Sequence, residues 1–391
     1  MKQFKKTLST LALACGLIGA TPVHAEDIKI GLVLPLSGPF STLGKQILDG
    51  VKLYMNVHGD KIGDKKVEIL LRDDTGIAPA VSQRAAQELL VSEKVNILAG
   101  FGFTPAAFAV APLSESTKTP MIVMNAATSS ITTKSPYIVR TASTMGQFTA
   151  PMAMWAAKNG MKNVITLVSD YGPGHDSEKQ FVKTFTENGG NIASQIRMPV
   201  QSPDFSPFLQ RVKDAKPDAV FLFVPAGEQG VAFIKGYRER GLDKEGIELL
   251  STGDITTEDL IAATGDAAIG LKTSFTYSEA HDSEVNRDFK QKYKAMYPNQ
   301  RPTFLTVGGY DGMHLIYETL KKTGGKSDGD TFIAQAKGMA WESPRGPISI
   351  DPETRDIVQN VYIREVKKVD GLLQNIEFDV VPNFKDPGKE K

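Results

Sequence analysis

The sequence predicts an α/β protein built as two lobes, each with a parallel sheet flanked by helices. Three observations carry that expectation. Short apolar runs alternate with segments of helical period from residue 28 to residue 252. The alternation is completed once before residue 145 and begins again after it. The leading run is apolar at nearly every position rather than at alternate ones, as a strand covered on both faces is.

The elements follow in order. "IKIGLVLPL" (28–36) is the first strand, and "TLGKQILDGVKLYMNV" places Leu43, Ile47, Val51 and Tyr54 at helical spacing. "KVEILLRDD" reads as a strand, "IAPAVSQRAAQELLVS" as a helix, "VNILAG" as a strand, "TPAAFAVAPLSEST" as a helix and "PMIVMN" as a strand. The order βαβαβαβ argues a parallel sheet. A second unit opens with the helix "FTAPMAMWAAKNG", the strand "NVITLVS" and the helix "HDSEKQFVKTFTENGG", which glycines stop. Its further strands are "NIASQIRM", "PDAVFLFVP" and "IELLST", and its further helices "DFSPFLQRVKDA" and "EQGVAFIKGYRERG". "AAIGLKTSFTYS" is a strand leaving this unit. "EVNRDFKQKYKAMYP" and "FLTVGGYDGMHLIYETLKKTGG" are helices with no strand between them, and "GPISIDPETRDIVQNVYIREVKK" is a hairpin followed by a late strand. Extra elements after two finished units suit a chain that crosses back between them. The polar tail "NFKDPGKEK" is expected to fray.

The N-terminus reads as a cleavable export signal. Lys2, Lys5 and Lys6 precede the apolar stretch 8–20, and Val23-His24-Ala25 places small residues at the cleavage positions, so cleavage is expected after Ala25. The stretch is shorter than the about 20 residues a membrane span needs. Cys15 would suit a lipoprotein, but Ala12-Leu13-Ala14 is a poor lipidation box. Without residues 1–25 the chain keeps 366 residues and no cysteine, so it relies on its core and not on disulfides, with length for two domains. Basic and acidic residues number 45 each, and losing three lysines leaves the mature form at −3. Its scattered basic residues exclude a nucleic-acid footprint. A soluble monomer is expected.

The stretches "IKIGLVLPLSGPFSTLGKQILDGVKL", "RDDTGIAPAVSQRAAQELLVSEKVNILAGF", "PMIVMNAATSS", "YDGMHLIYETLKKTGG" and "SPRGPISIDPETRD" resemble the periplasmic leucine/isoleucine/valine-type binding proteins of ABC transporters. The resemblance spans the mature chain in order. It implies two Rossmann-like lobes joined by three hinge crossings, near residues 143–146, 274–278 and 349–356. Lobe 1 would hold 26–144 plus 277–349, and lobe 2 would hold 145–276 plus 350–391. It also implies a periplasmic location, a small carboxylate ligand captured by hinge closure, and a membrane permease as partner.

The loop "GFGFTPAA" looks first like a phosphate cradle. A dinucleotide fingerprint requires a third glycine where Pro105 stands, and no Gly-Lys-Ser/Thr follows. Thr104-Pro105 instead marks a helix start, with threonine as N-cap and proline in the first turn, and with open amides that favour an anion. "NAATSS" (125–130) repeats the arrangement at the neighbouring strand end, where small Ala126 and Ala127 admit a ligand to the backbone. Such strand ends are where α/β sheets bind ligands. The resemblance assigns the ligand carboxylate to Thr104, Ala126 and Thr128 and puts a ligand-facing tyrosine at Tyr171 in "SDYGPGHD".

Two positions depart from the amino-acid-binding pattern. Ala226 replaces an aromatic residue, and Asp254 in "LSTGDI" falls one residue from the carboxylate that meets the ligand ammonium. An unpaired ammonium in a closed cleft is costly. Phe40, Phe103 and Leu43, with Phe101 nearby, suggest an apolar pocket that accepts a ring. A hydrophobic amino acid and an aromatic acid such as a benzoate or cinnamate both remain open as ligands.

No cofactor, metal site or catalytic set is expected. There is no G-x-S-x-G elbow and no H-E-x-x-H, and His58, His175, His281 and His314 are far apart in sequence. "DPETRD" lacks the glycine and final glutamate of a calcium loop and reads as a charged turn. A soluble ligand-sensing regulator using the same two lobes is the alternative function. A secreted hydrolase lacks a nucleophile.

Overall fold

The computed structural model describes residues 26–201 and 204–389. The export signal, Cys15 and the cleavage expected after Ala25 lie outside the described residues. The first sheet contains β1 (Ile28–Leu34), β2 (Lys61–Ile62), β3 (Lys65–Asp73), β4 (Ile97–Gly100), β5 (Met121–Val123) and β6 (Ile138–Arg140) in the order β2-β3-β1-β4-β5-β6. All its pairings are parallel except the short β2–β3 hairpin. Helices α1 (Ser41–His58), α2 (Pro79–Val91) and α3 (Thr104–Thr117) connect the strands.

The second sheet begins after α4 (Met145–Lys158). It takes in β7 (Asn163–Ser169), β8 (Asn191–Met198), β9 (Ala219–Phe223), β10 (Glu248–Thr252) and β11 (Lys272–Phe275), all parallel. Helices α5 (Gly172–Glu187), α6 (Ser206–Ala215), α7 (Glu228–Glu239) and the single turn α8 (Ile261–Thr264) accompany them. The chain then supplies α9 (Glu284–Met296), α10 (Phe304–Lys322) and α11 (Gly329–Ala336). Residues of α10 and α11 share one apolar core with β1, β4 and α1 of the first sheet. Last come β12 (Ala340–Ser343), β13 (Gly346–Ile350), β14 (Ile357–Val369) and β15 (Leu372–Phe384), joined antiparallel to the edge of the second sheet at β11. The result is a mixed α/β fold with two mostly parallel sheets flanked by helices. Among the described residues no helix is long and apolar enough to cross a membrane.

Two glycines explain how α10 reaches the middle of the molecule. A Cβ on Gly50 of α1 would lie 1.9 Å from the Thr306 carbonyl oxygen, and one on Gly309 would lie 2.1 Å from that of Ile47. The helix backbones therefore touch, which only residues without a side chain permit. This contact sets Phe304 and Gly308 beside the ends of β4 and β5.

The chain passes from the first sheet to the second through 141–144, leaves the second through 276–283, and turns at 351–356 between β13 and β14. A buried polar network fixes them. Thr144 caps α4 in a reciprocal capping box with Gln147, whose amide also donates to the carbonyls of Ile357 (2.9 Å) and Phe384 (2.8 Å). Arg140, with no solvent exposure, is paired to Asp356 at 2.6 Å. "DPETRD" is a turn: Asp351 accepts from the amides of Glu353 and Thr354, and Arg355 takes a left-handed φ of 61°.

The C-terminal segment differs from the sequence reading in two ways. The last strand, β15, is additional, and forms a long hairpin with β14. The tail is not frayed through Lys389. Asp386 accepts from Ser129 Oγ (3.1 Å) and Thr144 Oγ1 (2.9 Å), Lys385 pairs with Asp351 at 2.8 Å, and Lys389 pairs with Asp356. Polar residues that look idle in sequence are held here by polar groups of the crossing segments, more than 200 positions away for Asp386.

Candidate functional site

The cleft between the sheets is where the strand ends converge. On the first-sheet side, β4 ends at Gly100 with φ 105°, and Phe101 follows with φ 64°. A left-handed phenylalanine costs about 1–2 kcal/mol. It is held by full burial, by its amide donating to Val33 O (2.9 Å) and by its carbonyl accepting from Ala126 N (3.0 Å). The helix begins one residue earlier than the sequence predicts. Phe103 is the N-cap of α3 and Thr104 its first residue, so Thr104 is not the cap that the sequence predicts. Its hydroxyl is released from capping and donates to Thr128 Oγ1 at 3.1 Å. Asn125 Nδ2 donates to Gly102 O at 2.8 Å and ties this loop to the next.

That next loop, 124–128, is set by Arg140. Its Nη1 donates to the carbonyls of Ala126 (3.2 Å) and Thr128 (2.7 Å) while Nε and Nη2 hold Asp356. Residues 129–133 form a short 3-10 turn, and the Ser129 amide donates to Asp176 Oδ2 of α5 at 3.0 Å. The Ser129 amide of this strand-end loop is therefore engaged with a carboxylate of α5. A further hydrogen bond spans the cleft, Gln46 Nε2 to Asp259 Oδ2 at 2.7 Å.

The opposite side begins with Tyr171, extended at the N-cap of α5 and stacked on Phe223 at 6.2 Å. Burial and the nearby Asp254 push its hydroxyl above the usual phenol range. Gly172 passes close to Thr128, where a Cβ would lie 3.1 Å from Oγ1. Asp254 follows β10 in a 3-10 turn and accepts from Thr252 Oγ1 at 2.6 Å. Burial pushes its carboxyl up to about 6, against the opposing Thr252 hydrogen bond. Gly253 before it has no room for a side chain, because Arg364 and Phe275 fill the space.

Aromatic rings form much of the wall. Phe103, Phe148, Tyr171, Phe223 and Phe304 line the cleft, and Phe275 behind them bridges Phe148 (4.3 Å) and Phe304 (4.7 Å). The enclosed space open to the centre of a water molecule is about 50 Å³. That is room for a few waters. Only two charged side chains are among the lining residues, Asp254 and Arg345.

The sequence as a whole matches the model of the periplasmic binding proteins over residues 27–371. The chain belongs to the periplasmic binding protein family. It is 46% identical over 385 residues to a Leu/Ile/Val-binding protein homolog of Brucella melitensis, covering 98% of this chain and 99% of that one. A solute-binding protein of an ABC transporter from Rhodopseudomonas palustris BisB5, in complex with 3,4-dihydroxybenzoic acid, shares 56% identity at a TM-score of 0.90. Another from R. palustris, in complex with 4-hydroxybenzoate, shares 45% identity at the same TM-score. Each covers 93% of this chain, which spans 99% of theirs. These relatives bind substrates for transporters. They support the binding function over the regulator alternative.

In this periplasmic binding protein, eight of the ten residues singled out in sequence line the cleft: Leu43, Phe103, Thr104, Ala126, Ala127, Tyr171, Ala226 and Asp254. Two do not. Phe40 packs behind Phe103 at 4.7 Å and against Gly76, supporting the wall without forming it. Thr128 Oγ1 accepts from the Thr104 hydroxyl and its carbonyl accepts from Arg140, so it braces the loop. Sequence reasoning missed Arg140, Arg345 and the rings of Phe148, Phe223 and Phe304. A lone arginine in the apolar run "YIVRTA" was the available signal for Arg140. The rings sit in stretches whose pattern is ordinary core, and Arg345 in the turn "ESPRGP".

Proposed function

We propose that the chain is the periplasmic substrate-binding component of an ABC importer for a small aromatic carboxylate of the benzoate class. The observation that carries this reading is the aromatic wall, contributed from both sides of the cleft. A flat ring stacks and edges favourably against such a wall. The carboxylate belongs at the first turn of α3, beside Thr104 and the small residues Ala126 and Ala127, where helix amides favour an anion. Hinge closure brings Tyr171, Ala226 and Asp254 to the ligand from the second lobe. The two R. palustris proteins support the class through the hydroxybenzoates in their complexes. The protein works as a monomer after cleavage behind Ala25, hands its ligand to a membrane permease, and needs no cofactor.

A second reading is favoured by Asp254. A buried carboxylate in the cleft suits the ammonium of a hydrophobic amino acid, as the name of the B. melitensis relative suggests. A thermal-shift panel on the mature protein decides between them. Benzoate, 4-hydroxybenzoate and cinnamate are expected to raise Tm by about 5 °C or more at a hundredfold excess over Kd. A rise with leucine, isoleucine or valine and none with the aromatic acids overturns the proposal.

A further inference from the structure

Arg345 is the one cationic side chain among the lining residues, and it reaches the cleft from the turn between β12 and β13. It is 4% exposed. Its Nη2 donates to the Thr141 carbonyl at 2.6 Å and pairs with Asp311 Oδ2 at 2.8 Å. Asp311, on α10, is fixed in turn by Trp341 Nε1 (3.1 Å) and Ser343 Oγ (2.9 Å). The guanidinium is therefore anchored, and its charge is met by a neighbouring carboxylate. Its Nε is buried without a partner among the described residues. Buried donors are nearly always satisfied, so an orphan at the wall of a ligand cleft marks a group that the ligand completes.

We propose that Arg345 selects for an oxygen on the ligand's ring, its Nε–H donating to a ring hydroxyl. This inference rests on the benzoate-class reading above. Two features favour a ring oxygen over the carboxylate. In the benzoate-class reading the carboxylate has its own place at the start of α3. With Asp311 and the Thr141 carbonyl both on Nη2, the buried donor left without a partner is Nε–H, and beside a charge already compensated by Asp311 it suits a neutral acceptor better than a second full charge. A ring hydroxyl is also a donor, and Asp254 has one oxygen, Oδ2, engaged by Thr252 and its Oδ1 available to accept. An ammonium would satisfy Asp254 but leave Arg345 Nε unpaired. The cleft's two charged residues thus discriminate hydroxylated from unsubstituted rings.

The test is a set of equilibrium titrations of the mature protein with benzoate, 4-methylbenzoate, 3-hydroxybenzoate, 4-hydroxybenzoate and 3,4-dihydroxybenzoate. They are run on wild type and on Arg345→Lys, which keeps a cation beside Asp311 but removes the Nε donor. Wild type is expected to bind its preferred hydroxybenzoate about tenfold or more tighter than benzoate or 4-methylbenzoate, the margin of a hydrogen bond to a charged group. Arg345→Lys should lose that margin while binding benzoate within about threefold of wild type. An equal loss for every acid, benzoate included, overturns the inference by placing the carboxylate on Arg345. Unchanged selectivity in the variant overturns it as well. If the variant does not fold, the wild-type series still decides, because equal affinity for 4-methylbenzoate and 4-hydroxybenzoate contradicts ring-oxygen recognition. Wild type that binds none of these acids removes the proposed function and this inference together, whereas binding without hydroxyl selectivity removes the inference alone.

Discussion

The two sides of the cleft are built by different means. The first-sheet wall is mostly local: two strand-end loops, 100–104 and 124–128, present backbone, small side chains and one threonine hydroxyl, with Phe304 and Gly308 of α10 beside them. The facing wall and the hinge side are assembled from distant segments and carry the ions. Asp254 stands 150 positions after Thr104, and Arg345 contacts a carbonyl 204 positions before it. Grip on a shared feature, a carboxylate, comes from local backbone geometry. Discrimination among ligands, and the stiffness of the hinge, come from side chains that only the crossing chain brings together.

If that division is right, damage on the hinge side should be structural and damage on the first wall should be functional. The largest effect is expected from Arg140→Met. It leaves Asp356 buried and releases the carbonyls of the 124–128 loop, so urea unfolding should report a loss of about 3–5 kcal/mol. A loss near zero would show that the hinge ions are ornamental. Deleting residues 385–391 should cost about 1–3 kcal/mol, because Ser129 and Thr144 lose Asp386 and Asp356 loses Lys389. A frayed tail would leave the unfolding midpoint where it was. Thr104→Ala should do the reverse, weakening 4-hydroxybenzoate binding about tenfold while changing stability by less than about 1 kcal/mol.

The smallest effect concerns pH. Asp254 has its native value raised to about 6, so burial makes it protonate more readily than it does in the unfolded chain. By itself this adds stability at low pH that is lost as pH rises through about 6. A ligand that donates a hydrogen bond to Asp254 prefers the carboxylate, so the sign for binding is opposite. Affinity for 4-hydroxybenzoate should fall as pH drops from 7 to 5, by up to about tenfold, and Asp254→Asn should flatten the profile. An unchanged slope in Asp254→Asn would assign the titration elsewhere.

The same division explains what could be read from the sequence. Strands such as 28–34 and helices such as 41–58 declare themselves through local periodicity, and eight candidate residues reach the cleft because strand-end loops are where such sheets bind. Thr104 was misplaced by one position because the left-handed turn at Phe101 is invisible in composition. Thr128 and Phe40 were near the site but committed to neighbours. The partners of Arg140, Arg345 and the pinned tail were not legible, because each lies about 200 or more residues away.

The central claim is that the cleft holds a benzoate-class acid and not an amino acid. Isothermal titration of the mature protein with 4-hydroxybenzoate and, separately, with leucine tests it most directly. The account predicts saturable one-to-one binding of 4-hydroxybenzoate and no heat of binding from leucine. Saturable leucine binding with no response to 4-hydroxybenzoate would contradict it.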